Sequence, residues 1–77
     1  MDKVEKFLRK LDAKRRGKLI AVIAKIGANR LDGLDIKPLQ GFEGHFRCRV
    51  GHIRILFMHS HRSNIVYDVN FRGHIYR

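Results

Sequence analysis

Arg47, Arg49, Arg54 and Arg72 alternate with apolar residues along the C-terminal half of the chain, and alternation by two sends side chains to opposite faces of an extended strand. If Phe46, Cys48, Val50, Ile53, Ile55, Phe57, Ile65, Tyr67, Val69 and Phe71 face a core, the four arginines share the other side. Between Leu39 and Arg77 the acidic residues are Glu43 and Asp68, against six arginines, so internal ion pairs cannot absorb the group. One reading is ordinary charge solvated on a half-exposed sheet; the other is a face that binds an anion.

Guanidinium groups stabilise the negative charge that builds on a phosphate during transfer, but their high pKa makes them poor proton acceptors. RNA carries its own nucleophile, the 2′-hydroxyl. A protein that aligns this oxygen with the adjacent phosphorus and stabilises the developing charge can cleave the strand. Proton transfer needs another group. The stretch Arg72-Gly73-His74-Ile75-Tyr76-Arg77 offers His74, which titrates near neutrality, and the Tyr76 phenol, unless that ring only packs. The chain has no pair of closely spaced carboxylates, no metal-ligand cluster of standard spacing, no phosphate-cradling glycine loop and no nucleophile elbow, so neither metal nor cofactor is expected. His59 and His61 fall in an expected turn without a third ligand and read as solvated. His45 and His52 flank a strand, where they could touch nucleic acid or be plain surface residues. Cys48 reads as a small core residue.

These residues need a scaffold, and the pattern predicts an α+β fold: an N-terminal helical hairpin packed on a small antiparallel sheet. A first helix over 3–11 carries the apolar stripe Val4, Phe7, Leu8 and Leu11, with Asp2 and Glu5 placed as a capping box. Asp12 is placed to cap a second helix, whose stripe is Leu19, Ile20, Ile23 and Ile26 and whose end fits Gly27 and Asn29. Residues 31–44, with Asp32-Gly33, Pro38, Gly41 and Gly44, read as a linker. Strands then follow over 46–50, 53–58 and 65–71, separated by a tight turn at Gly51-His52 and a polar turn over 59–64. The whole of 1–77 is one domain, divided into hairpin (1–30), linker (31–44) and meander with C-terminal segment (45–77).

Composition bounds the function. Seventy-seven residues with net charge +10 leave room for one small core and an open working surface. Such charge suits a polyanion or an acidic protein. The longest apolar stretch, interrupted by Lys25, is too short to span a membrane, no signal peptide opens the chain, and one cysteine permits no internal disulfide, so the expected location is cytoplasmic.

The C-terminal half resembles the RelE/ParE toxin superfamily, specifically its RelE-like messenger-RNA interferases. Lys37-Pro38-Leu39-Gln40-Gly41 resembles the family's Lys-x-Leu-x-Gly segment. Residues 46–57, from Phe46-Arg47-Cys48-Arg49 through Gly51 to Arg54 and Phe57, resemble its aromatic-Arg-x-Arg-x-Gly-x-x-Arg hairpin. Asn70-Phe71-Arg72-Gly73-His74-Ile75-Tyr76-Arg77 resembles its basic, tyrosine-terminated end. The resemblance implies the toxin of a toxin–antitoxin pair, a ribosome-dependent endoribonuclease that enters the A site, cuts messenger RNA through 2′-hydroxyl attack and is restrained by a cognate antitoxin. It matches the family's basic first-strand residues to Arg47 and Arg49, its phosphate-stabilising arginine to Arg54, its late arginine to Arg72 and its terminal tyrosine to Tyr76. With His74 added from the residues themselves, the expected catalytic groups are Arg54, Arg72, His74 and Tyr76, and the expected RNA contacts are Arg47, Arg49, Lys37 and Arg77. A gyrase inhibitor of the ParE kind, or an inactive binding relative, would use the same fold.

Two departures from the family pattern carry expectations. Relatives begin with a strand ahead of the first helix, whereas Asp2 here already caps that helix, so the sheet should lack one strand and leave an edge open. Many relatives also carry Gly-His where this chain has Asn70-Phe71. Charge is uneven: residues 1–30 hold ten basic and three acidic residues, residues 31–77 seven and four. The helical side is therefore a candidate docking surface for ribosomal RNA, or a helix pair that solvates itself with lysines.

Overall fold

Helix α1 spans Lys3–Arg9 and α2 spans Ala13–Gly27 in a computed structural model that describes residues 3–71. Asp2, Arg72, His74, Tyr76 and Arg77 lie outside the described residues. Phe7 and Leu11 are buried as the first stripe requires, with Val4 and Leu8 packed against them. The second stripe is rotated from its expected phase: Leu19, Val22 and Ile26 are buried, whereas Ile20 is 49% exposed. At about 100° per residue Val22 and Ile20 flank Leu19 and Ile26 on opposite sides, roughly 160° apart, so a helix that buries Val22 turns Ile20 toward solvent.

The junctions show how the backbone groups at helix ends are satisfied. Asp12 has the extended backbone of an N-cap, but its side chain makes no capping hydrogen bond; its carboxylate instead lies 3.8 Å from Arg15 Nε. Arg16 donates from Nε to the Leu8 carbonyl (3.2 Å) and from Nη2 to the Leu11 carbonyl (2.7 Å), so a side chain of α2 closes the end of α1. At the end of α2, Arg30 N–H donates to the Lys25 carbonyl and Asn29 N–H to the Ile26 carbonyl, with Asn29 at φ 59°. This is a Schellman closure with asparagine in the left-handed position.

Four antiparallel strands follow in the order β1-β2-β3-β4: β1 Asp35–Pro38, β2 His45–Val50, β3 Ile53–Ser60 and β4 Ser63–Phe71. The segment expected as a linker thus contains an edge strand, in which Ile36 pairs with Cys48 and Pro38 with Phe46. A proline is tolerated there because an edge strand has one side without ladder bonds. No strand precedes α1 among the described residues, and β4 is an outer strand of the sheet. Gly51, at φ 60°, makes the expected tight turn between β2 and β3. The second turn shrinks to His61-Arg62, because His59 and Asn64 are paired across β3 and β4 rather than looped.

Both helices pack against β4, and the buried side chains Cys48, Ile53, Ile55, Phe57 and Val69 meet them from one face of the sheet. A β-bulge changes the membership of that face. Leu56 pairs with Asp68 but Phe57 pairs with Val66, leaving Tyr67 as an extra residue. The extra residue reverses the alternation, so Val66 and Asn64 turn inward while Ile65 and Tyr67, expected in the core, are 50% and 38% exposed. Asn64 is the one buried polar side chain among the described residues. Its Nδ2 donates to the Ile26 carbonyl and to Asn29 Oδ1, both at 3.0 Å, and its Oδ1 lies 2.7 Å from His59 Nδ1, tying β4 to the closure of α2.

Candidate functional site

The sheet face turned away from the helices is organised in rows by strand register. One row runs Asp35, Arg49, Arg54, Asn70 across β1 to β4; the next runs Lys37, Arg47, Leu56, Asp68; a third joins His45, Met58 and Ile65. Arg47, Arg49, Arg54 and Lys37 therefore share the face that the alternation predicts. Arg72, the fourth arginine expected there, lies outside the described residues, as do His74, Tyr76 and Arg77.

Arg49 and Arg54 are directly opposed. Side chains so placed have Cβ atoms roughly 5 Å apart, where like charges destabilise a sheet. Some of this repulsion is relieved inside the molecule. Arg49 Nε lies 3.9 Å from Asp35 Oδ2, an exposed and long ion pair. Arg54 Nε donates to Asn70 Oδ1 at 3.3 Å. Arg47 is half-buried, and its Nη1 is enclosed without a hydrogen-bond partner. An enclosed cationic donor without a partner is costly unless an anion completes it.

Asp68 does not neutralise this group. Its Oδ1 accepts from Val69 N–H at 3.0 Å and lies 4.0 Å from Lys3 Nζ, while Oδ2 accepts from Asn70 Nδ2 at 3.4 Å. Asp68 faces Lys3 of α1 in a long, largely exposed ion pair, and the Asp68–Asn70 bond orients the amide that in turn holds Arg54. The face thus presents three guanidinium groups with one exposed carboxylate partner among them. Chemically, it can hold the phosphates of a strand and stabilise charge on one of them.

Asp35, Asn70, Tyr67 and Phe42 escape the sequence reading, whereas His45 is one of the two histidines expected at the ends of β2. Asp35 lies in the segment read as linker, so its position across from Arg49 depends on β1. Asn70 holds Arg54 from the position noted only as a departure from the family pattern; its signal is a polar residue in register with an arginine on the neighbouring strand. His45 Nδ1 lies 3.0 Å from the Tyr67 hydroxyl, with ring centroids 5.5 Å apart. Phe42 stands edge-on to His45 at 6.1 Å. The bulge alone brings Tyr67 to this face, and nothing in the spacing of residues 65–71 announces it. Cys48, by contrast, is in the core as expected, and burial pushes its thiol pKa up, with Asp35 adding to the rise and Arg47 opposing it.

No helix among the described residues is long and apolar enough to cross a membrane. No family model and no curated protein matches the chain. Among solved structures, the chain is similar to one chain of the RelB–RelE antitoxin–toxin complex from Methanococcus jannaschii: 26% of residues are identical, the match covers 90% of this chain and 84% of that chain, and the TM-score is 0.73.

Proposed function

We propose that this protein is the toxin of a toxin–antitoxin pair and a ribosome-dependent endoribonuclease. The likeness to a chain of an antitoxin–toxin complex supports a place in such a pair. The choice of toxin over antitoxin rests on the sheet face, where Arg49 opposes Arg54 with the unpartnered Nη1 of Arg47 in the next row. That is the observation that carries the reading, because it leaves positive charge gathered for an external anion.

The reaction is an intramolecular transesterification. The 2′-oxygen of one nucleotide attacks the adjacent phosphorus, the bond to the 5′-oxygen of the next nucleotide breaks, and a 2′,3′-cyclic phosphate and a 5′-hydroxyl result. The proton leaves the 2′-hydroxyl and a proton is delivered to the departing 5′-oxygen, tasks assigned to His74 and Tyr76. Arg54 and Arg72 stabilise the charge on the phosphoryl oxygens, while Arg47, Arg49, Lys37 and Arg77 hold the flanking backbone. Removing one such stabilising donor lowers rates on the order of 100- to 1000-fold in comparable sites. The partners are a cognate antitoxin, the ribosome and messenger RNA in the cytoplasm, and no metal or cofactor takes part in the proposed steps.

The test is to programme ribosomes with a defined messenger, add the protein, and map 5′ ends by primer extension beside a gyrase supercoiling assay. Cuts in the A site that vanish with Arg54→Ala in a folded variant uphold the reading. Inhibited supercoiling with intact messenger would assign the protein to the gyrase inhibitors, and neither effect would make it an inactive relative.

A further inference from the structure

We propose that Phe42, His45 and Tyr67 form a stacking platform for an unpaired base of single-stranded RNA, at the end of the arginine face. The inference rests on the RNA reading above and names what lies beside the phosphates. Phe42 is 62% exposed and Tyr67 38%, and both rings meet His45 edge-on. The His45–Tyr67 hydrogen bond fixes two of the three rings relative to each other, so little side-chain freedom is lost when a base arrives.

The platform is in line with the cations. His45 and Arg47 are two residues apart on β2 and share a face, which places them about 7 Å apart along the strand, the scale of one nucleotide. Met58, half-buried and directly across from His45, forms the apolar floor between β2 and β4. An exposed aromatic group beside unneutralised arginines is poorly suited to a greasy protein partner, because docking one there would strip water from the guanidiniums. It suits a base, whose apolar faces stack on rings while its own phosphates meet the charge. The open face of a sheet with aromatic rings is a recurrent way of holding splayed bases.

The experiment titrates end-labelled single-stranded RNA onto the full chain by fluorescence anisotropy, beside strands of the same length and charge carrying an abasic ribose at successive single positions. The platform predicts one position at which the missing base weakens binding about 5- to 150-fold. Phe42→Ala and Tyr67→Ala should bind intact RNA more weakly and lose that discrimination, with the salt dependence unchanged because no charge is removed. Thermal melts of both variants verify folding. Equal affinity for all abasic strands, or discrimination retained in both variants, overturns the platform and leaves the RNA reading standing. No binding to any free strand also overturns the platform, while the nuclease reading then stands or falls on the cleavage assay with programmed ribosomes.

Discussion

Replacing Asn64 with alanine should unfasten the helices from the sheet, and the size of the effect follows from what surrounds the amide. Asn64 is 7% exposed and bonds three partners: the Ile26 carbonyl, Asn29 and His59. Asn29 and His59 are exposed and recover water when the amide is lost, so each contributes only about 0.5 kcal/mol. Ile26 is 0% exposed, and its carbonyl would keep the Asn29 N–H but lose the bond to the sheet, at a cost of about 1–2 kcal/mol. The sum is about 2–3 kcal/mol, a large share of the stability of so small a domain. For a chain of this size that corresponds to a fall in Tm of roughly 10–20 °C. Thermal and urea unfolding followed by circular dichroism would measure it, with Ser63→Ala, which removes only an exposed 3.4 Å hydrogen bond to the Ser60 carbonyl, as the comparison. A loss in Asn64→Ala no larger than in Ser63→Ala would refute the claim that this amide fastens β4 to α2.

Asn70→Ala should leave stability within about 0.5 kcal/mol of the parent but lower messenger cleavage roughly 10-fold, because a freed Arg54 is no longer aimed; unchanged cleavage would remove Asn70 from the site. Arg47→Met should raise stability by about 1 kcal/mol in denaturant melts, since it removes an enclosed donor without a partner, while weakening RNA binding. Cys48 should resist iodoacetamide in the folded state. Its thiol pKa is raised on folding from the usual 9.0, so the unfolded chain ionises first and stability should fall as pH rises through about 9. Stability present below that pH is lost above it, and Cys48→Ala should flatten that part of the pH profile in alkaline melts.

The arginine face was legible because period-two alternation survives intact in β2 and in the first half of β3, where Arg47, Arg49 and Arg54 each sit between apolar neighbours. Beyond Leu56 the same logic fails at one residue. The bulge at Tyr67 reverses the facing of everything before it in β4, and a bulge is set by pairing with β3, which no single strand encodes. Edge strand β1 was hidden because Gly33 precedes it and Pro38 is its last residue, both turn signals, and its four residues hold their place through β2. Asn64 read as a turn residue by type, yet its burial depends on contacts with residues 26 and 29, far away in the chain. Asp12 shows the converse: its position at the helix start was readable, but its carboxylate turns to Arg15 instead of the exposed amides. Local pattern thus marked both helices, three of the four strands and the charges, while long-range pairing decided the edge strand and which side chains meet.

The proposed function requires Arg47, Arg49 and Arg54 to lie together under one bound strand. That placement is tested most directly by the salt dependence of single-stranded RNA binding, in the parent protein and in a variant with all three arginines replaced by methionine. Each phosphate neutralised on a single strand contributes about −0.7 to the slope of log K against log salt concentration. The triple substitution should make the slope shallower by about 2, with each single substitution contributing about a third of that. A triple variant that keeps the parent slope would place the bound strand elsewhere, away from these three arginines.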